Sequence, residues 1–204
     1  MIYWIVIFFF KVSGWLFFRH RVFFECDPKS ISGAAIIAPN HASYLDPPLV
    51  SASWPRSLHF FAGKRLFNKW WLKWLLPRLN SHPVEEGKEL ATMRLALDLL
   101  AEGKKIVVFP EGTRSHDGRL GPMRSGVAFL SYRSEAPIVP CYISGTYEAW
   151  PRTQKKVQWR GRRTKCVFGK PIYPVDEQGH KRSKQTLTLL IEQELKRLRD
   201  IYRA

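Results

Sequence analysis

The chain has 204 residues, with 33 Lys and Arg against 17 Asp and Glu, so its formal net charge is +16. One domain is the natural count at this length, and an apolar content of 45% excludes a disordered basic tail. Three widely spaced cysteines, Cys26, Cys141 and Cys166, exclude a disulfide scaffold and a tetrahedral zinc knuckle and suit a reducing compartment; the partner of so basic a protein is expected to be anionic.

The run from Met1 to Phe24 is the most apolar stretch. Ile2 to Phe10 is uninterrupted, Lys11 breaks the run, Val12 to Phe18 resumes it, and Arg19, His20 and Arg21 close it. A spanning helix needs about 20 apolar residues, and Lys11 would fall near mid-bilayer, where a charge is costly. No basic region precedes the run and no small-residue cleavage site follows it, which argues against a secretory signal. Residues 1–24 are therefore expected to form an uncleaved membrane anchor that enters one leaflet or barely spans; the other reading is a buried core helix. Residues 25–204 are expected to form the folded domain, and a spanning anchor with this basic flank would keep it on the cytoplasmic side.

From Ile31 onward, short apolar runs alternate with helical periodicity. Strands are predicted at 34–38, 58–62, 105–109, 137–143 and 164–168, and helices at 47–53, 66–76, 89–101, 124–132 and 183–202. In the helix at 89–101, Leu90, Met93, Leu97 and Leu100 share one face and Gly103 supplies the stop. Strands alternating with helices predict an α/β fold with a mostly parallel sheet covered by flanking helices.

Two polar clusters follow predicted strands: Asn40-His41-Ala42-Ser43-Tyr44-Leu45-Asp46 and Pro110-Glu111-Gly112-Thr113-Arg114-Ser115. In open α/β sheets ligands bind beyond the carboxyl ends of strands. His41 and Asp46 are separated by four residues, so a turn brings the carboxylate to one imidazole nitrogen and leaves the other to take a proton from a hydroxyl. Asp46 before Pro47 also fits a helix N-cap, and a structural loop histidine is the other reading of His41. The chain lacks G-x-S-x-G, so no covalent intermediate is indicated. Arg114 after Gly112 suits a bidentate phosphate contact, with Thr113 and Ser115 beside it and Glu111 available to orient it, or else forms a Glu–Arg pair in a turn.

These two clusters resemble the first and third sequence blocks of the glycerolipid acyltransferases, and Val139-Pro140-Cys141-Tyr142-Ile143 resembles the fourth; together they cover residues 34–143. The second block departs: the family's Lys-x-Glu-Leu tetrad falls on Gly63-Lys64-Arg65-Leu66, with Lys64 left to contact phosphate, and Asn80-Ser81-His82-Pro83-Val84 fits it loosely. The resemblance implies a membrane-bound enzyme. It would move a fatty acyl group from acyl-CoA or acyl carrier protein to the free hydroxyl of 1-acyl-glycerol-3-phosphate, making phosphatidate. His41 is then the general base and Asp46 its orienting partner. Arg114 with Lys64 holds the acceptor phosphate, and Glu111, Gly112, Thr113, Ser43 and Asn40 complete the substrate site. No metal or cofactor is required. Another lysolipid or glycerol-3-phosphate is the alternative acceptor.

Two further segments bear on the partner. Phe67, Trp70, Trp71, Trp74 and Leu75 fall on one face of the helix predicted at 66–76, opposite Lys69 and Lys73, the pattern of an interfacial helix; core packing is the other reading. Residues 152–165 hold seven basic side chains around Trp159, a patch for anionic lipid or for nucleic acid. The apolar N-terminus favours lipid, because nucleic-acid binding needs no anchor; a basic nucleic-acid-binding protein is the distant alternative.

Overall fold

The computed structural model describes residues 2–85, 87–154, 156–159 and 161–202. Its strands are β1 Arg21–Phe24, β2 Ala35–Pro39, β3 His59–Gly63, β4 Ser81–Val84, β5 Lys105–Val107, β6 Ile138–Ser144 and β7 Lys165–Phe168. They form one sheet in the order β1-β7-β6-β2-β5-β3-β4. β2, β3, β4, β5 and β6 are mutually parallel, whereas β7 is antiparallel to β6 and β1 is parallel to β7. The amino ends of β1 and β7 therefore lie at the same sheet edge as the carboxyl ends of β2 and β6.

The helices are α1 Ile2–Phe18, α2 Asp46–Ser53, α3 Trp70–Arg78, α4 Glu89–Ala101, α5 Gly126–Ser134, α6 Thr146–Ala149 and α7 Lys184–Tyr202. Every residue of β2 is buried, because helices cover both faces and a doubly covered strand must be apolar throughout. On one face Leu100 of α4, Leu130 of α5 and Ile191 of α7 pack on Ile36, Ile106 and Ile138. On the other, Leu49, Val50 and Trp54 of the α2 region meet Ile37, Val139 and Phe168. α1 lies on α2 at Gly14, where an added Cβ would come within 3.2 Å of Leu49 Cδ2.

The predicted α/β architecture is present, with five local differences. The apolar run 1–24 is two elements: α1 ends at Phe18, Arg19 takes a left-handed φ of 45°, His20 N–H donates to Gly14 O at 3.1 Å, and residues 21–24 become the edge strand β1. Continuous apolarity carries no period, so this break was hidden. β4 was missed because it contains Pro83, which a strand tolerates only at a sheet edge, where β4 sits. The predicted helix at 66–76 is instead a 3-10 turn, Lys64–Asn68, then an extended Lys69, then α3. Pro77 lies inside the last turn of α3 rather than beyond its end. The short helix α6 was not foreseen.

The exposed side of α1 is apolar apart from Lys11. Trp4, Ile5, Phe8, Phe9, Val12, Trp15 and Leu16 face outward, while Tyr3, Ile7, Gly14 and Phe18 face inward. Among the described residues no helix is long and apolar enough to cross a membrane.

Candidate active site

The site begins where β2 runs out. Asn40 continues the ladder with its side chain: its amide N–H donates to Ile143 O at 3.1 Å, and its Oδ1 accepts from Ile143 N at 2.6 Å. The amide takes the place of a backbone rung, so the chain can leave the sheet at His41 without stranding a donor on β6. Asn40 is thus a positioning residue for the turn.

Asp46 is the first residue of α2 and fully buried. Pro47 and Pro48 follow it, and neither has an N–H to be capped. The carboxylate therefore turns back along the chain. Its Oδ2 accepts from Ala42 N and Ser43 N, each at 2.7 Å, and from His41 Nδ1 at 2.9 Å. This replaces the expected N-cap: α2 has no side-chain cap, and all three bonds share one oxygen. Because an ionised carboxylate only accepts, Nδ1 carries the proton and Nε2 keeps its lone pair. The imidazole also stacks on Phe109, with ring centroids 3.8 Å apart. Held at one edge and one face, the ring presents Nε2 as a base.

Glu111 grips the backbone of this turn. Its Oε1 accepts from His41 N at 2.7 Å and its Oε2 from Gly121 N at 2.8 Å, while His41 O accepts from Ser115 N at 2.7 Å. The expected Glu111–Arg114 pairing is absent: both carboxylate oxygens are committed to N–H groups of two loops. Burial raises the Glu111 carboxyl above its ordinary value, and those same N–H groups pull it back.

Arg114 lies flat on Tyr44, its guanidinium carbon 3.7 Å from the ring centroid, and Tyr44 leans on Trp150. Arg114 Nη1 is buried with no hydrogen-bond partner among the described residues. A cation clamped by its face and free along its edge is prepared for a bidentate anion. Gly112 has φ +72°, and an added Cβ would lie 2.8 Å from Arg124 Cδ, so what approaches this glycine from within the protein is the Arg124 side chain. Thr113 is exposed at the rim. Ser43 is fully buried; its hydroxyl donates to Trp150 O at 2.7 Å and accepts from Leu45 N, so it holds the turn. Lys64 stands apart on the 3-10 turn after β3, ion-paired with Glu85 at 2.7 Å.

Phe109, Tyr44 and Arg124 were not foreseen. The first two adjoin or lie within the motif blocks, but their roles as ring platforms depend on which way each side chain turns. Arg124 reaches Gly112 from outside both blocks and carries no local signal. Among the described residues no group of three or more His, Cys, Asp or Glu could hold a metal ion.

A carboxylate-held imidazole and an arginine whose Nη1 meets no partner among the described residues stand near the carboxyl ends of the parallel strands of an α/β fold, an arrangement chemically able to accept a proton and to hold an anion. The acyltransferase family model matches residues 7–144, and the chain belongs to that family. A 1-acyl-sn-glycerol-3-phosphate acyltransferase of Bacillus subtilis is 26% identical over 168 residues, covering 81% of this chain and 80% of its own. A chloroplastic 1-acyl-sn-glycerol-3-phosphate acyltransferase of Brassica napus is 28% identical over 137 residues, 66% of this chain but only 39% of its own. The crystal structure of the LPA acyltransferase PlsC of Thermotoga maritima shares the fold with a TM-score of 0.80 at 24% identity, over 97% of this chain and 78% of that one.

Proposed function

We propose that this acyltransferase moves a fatty acyl group from a thioester, acyl-CoA or acyl carrier protein, to the free hydroxyl of 1-acyl-glycerol-3-phosphate. The observation that carries the reading is His41: its Nδ1 is held by buried Asp46, close along the chain to the Tyr44 ring that carries Arg114, whose Nη1 has no partner among the described residues. Arg114 takes the acceptor phosphate. His41 Nε2 takes the proton of the acceptor hydroxyl, and the oxygen attacks the thioester carbonyl. The tetrahedral intermediate collapses with breakage of the C–S bond. The imidazolium returns its proton to the leaving thiolate, so the products are an ester and a free thiol. Asp46 stabilises the imidazolium while it exists. Lys64 serves the phosphate only by exchanging its Glu85 partner for it.

The protein lies on a membrane surface, with its catalytic domain on the cytoplasmic side, where the anionic leaflet attracts a basic protein. Support comes from the outward apolar stripe of α1, from α3, which has no buried residue and exposes Trp70, Trp71 and Trp74, and from the net charge of +16. The test is thiol release by purified protein in liposomes, with acyl-CoA and acyl carrier protein each offered to a panel of lysolipids and glycerol-3-phosphate. Phosphatidate is the expected product. Thiol release with none of these acceptors would refute the reading, and preference for another acceptor would reassign the substrate.

A further inference from the structure

A cleft of about 1040 Å³ opens at the same sheet edge as the catalytic turn but on its other side. Asn40 and Ala42 line it, while His41 between them does not and stacks instead on Phe109. Its walls carry several basic side chains and one acid, Glu148. Arg19 and Arg21 come from the link into β1, Arg163 and Lys165 from the start of β7, Arg119 from the loop after Glu111, and Arg199 from α7. Residues 19–21 and 163–165 meet because β1 and β7 pair in parallel, Arg21 opposite Lys165, and the antiparallel pairing of β7 with β6 puts that junction beside the carboxyl ends of β2 and β6. Backbone bonds lock them together: Thr164 N to Phe18 O and Arg21 N to Thr164 O, both at 3.0 Å. Gly145 has φ +78°, and an added Cβ there would lie 1.8 Å from Arg163 O. The cationic wall is therefore built before any ligand arrives.

Two observations point to a ligand. Arg19, Arg21 and Arg163 have no ion-pair partner among the described residues. Thr146 lines the same cleft, is 1% exposed, and its hydroxyl has no partner among the described residues. A buried hydroxyl left without a hydrogen bond is costly unless a ligand supplies one. So many cations exceed what one acceptor phosphate requires, and Arg114 is already available for that phosphate. The cleft is concave and of small-molecule size, which suits a compact polyanion better than the surface of a carrier protein.

We propose that this cleft binds the phosphate-bearing head of a coenzyme A thioester, with its pantetheine arm crossing the turn at Asn40–Ala42 to bring the thioester to His41. The proposal rests on the acyltransferase reading and adds the donor's identity and its side of approach. The lipid acceptor then enters past Arg114 and the water-soluble donor from the opposite side of the same turn.

The test is calorimetric titration of the full chain with free coenzyme A, dephospho-coenzyme A and pantetheine, and the same titrations for Arg19→Ala/Arg21→Ala/Arg163→Ala and for Arg163→Glu alone. Affinity is expected to fall in that order of ligands and to weaken with salt. The triple variant should weaken coenzyme A binding by about ten-fold or more. It should lower by a similar factor the ratio of kcat/KM for acyl-CoA to kcat/KM for acyl-pantetheine. Unchanged coenzyme A affinity in both variants would overturn the proposal. So would a loss confined to acyl carrier protein, or to binding of phosphatidylglycerol vesicles. Coenzyme A binding needs no turnover: a protein that binds it in the cleft but transfers no acyl group refutes the proposed reaction alone, and an active protein whose affinity the variants leave unmoved refutes the cleft alone.

Discussion

At the scale of single residues, Asp46 does the most with one atom. Its Oδ2 fixes the His41 tautomer and closes the turn through Ala42 and Ser43. His41→Ala removes the proposed base and leaves the turn's backbone bonds in place. Transfer should fall by about 10²–10⁴-fold with the fold retained by circular dichroism. More than about a tenth of the wild-type rate, far above the residue left by losing a general base, would sink the assignment. Arg114 makes its own test. Hydrogen bonds to charged groups contribute about 1.5–3 kcal/mol, so Arg114→Ala should cost about ten- to a hundred-fold in kcat/KM for a phosphorylated acceptor and much less in donor KM. Arg114→Lys should restore only part of the loss, because an ammonium cannot lie flat on Tyr44 and still offer a forked edge. A rise in donor KM instead would assign Arg114 to the thioester side.

At the scale of elements, α3 and the β3–β4 edge carry the testable content. α3 buries no residue, and Trp70 is 84% exposed, so the core-packing reading of its tryptophans fails on geometry. Phe67 lies on the preceding 3-10 turn and leaves the stripe. Replacing Trp70, Trp71 and Trp74 by Ser should lower transfer to a long-chain lysolipid in liposomes relative to a short-chain, water-soluble acceptor. An equal loss on both, with a lower Tm, would count against an interfacial role. On the neighbouring edge, His59 Nδ1 lies 3.0 Å from His82 Nε2. Burial holds both imidazoles below the ordinary value of 6.5, and for His59 the nearby His82 adds to it. A histidine depressed in the fold takes up its proton more readily in the unfolded chain. The pair's contribution is thus present above about pH 6.5 and is lost as pH falls through that value toward the folded ones. Wild-type Tm should drop more steeply than that of His59→Gln/His82→Gln between about pH 7.5 and about pH 5.5; parallel slopes would show that the pair does not titrate there.

At the scale of the molecule, an apolar stripe on α1 and a net charge of +16 act together. On the proposed reading, charge should draw the protein to anionic vesicles, and salt screens such attraction within about 10 Å at 0.1 M. The stripe's contribution is not screened. High salt should therefore abolish the preference for phosphatidylglycerol over phosphatidylcholine vesicles in a flotation assay and leave a residual bound fraction on both. Complete release would mean that α1 does not enter the bilayer surface.

The sequence by itself determined the covered, mostly parallel sheet, because apolar runs and helical periods are local patterns that only such a fold can bury. It also determined the two loops that hold His41, Asp46 and Arg114, because each follows a strand whose end is marked by apolarity running out. The tertiary structure decided the rest. That Glu111 clamps His41 and Gly121 instead of Arg114, and that Tyr44 and Phe109 become platforms, depends on side-chain directions set by packing. Two adjacent prolines decided that Asp46 faces backward, a consequence visible only once α2 is known to start at Asp46 itself. The pairing of β1 and β7 decided the basic cleft. Their parallel register brings Arg19 and Arg21 beside Arg163 and Lys165 across more than half the chain, and the antiparallel join of β7 to β6 sets them near the catalytic turn, choices of strand pairing that no window of sequence contains.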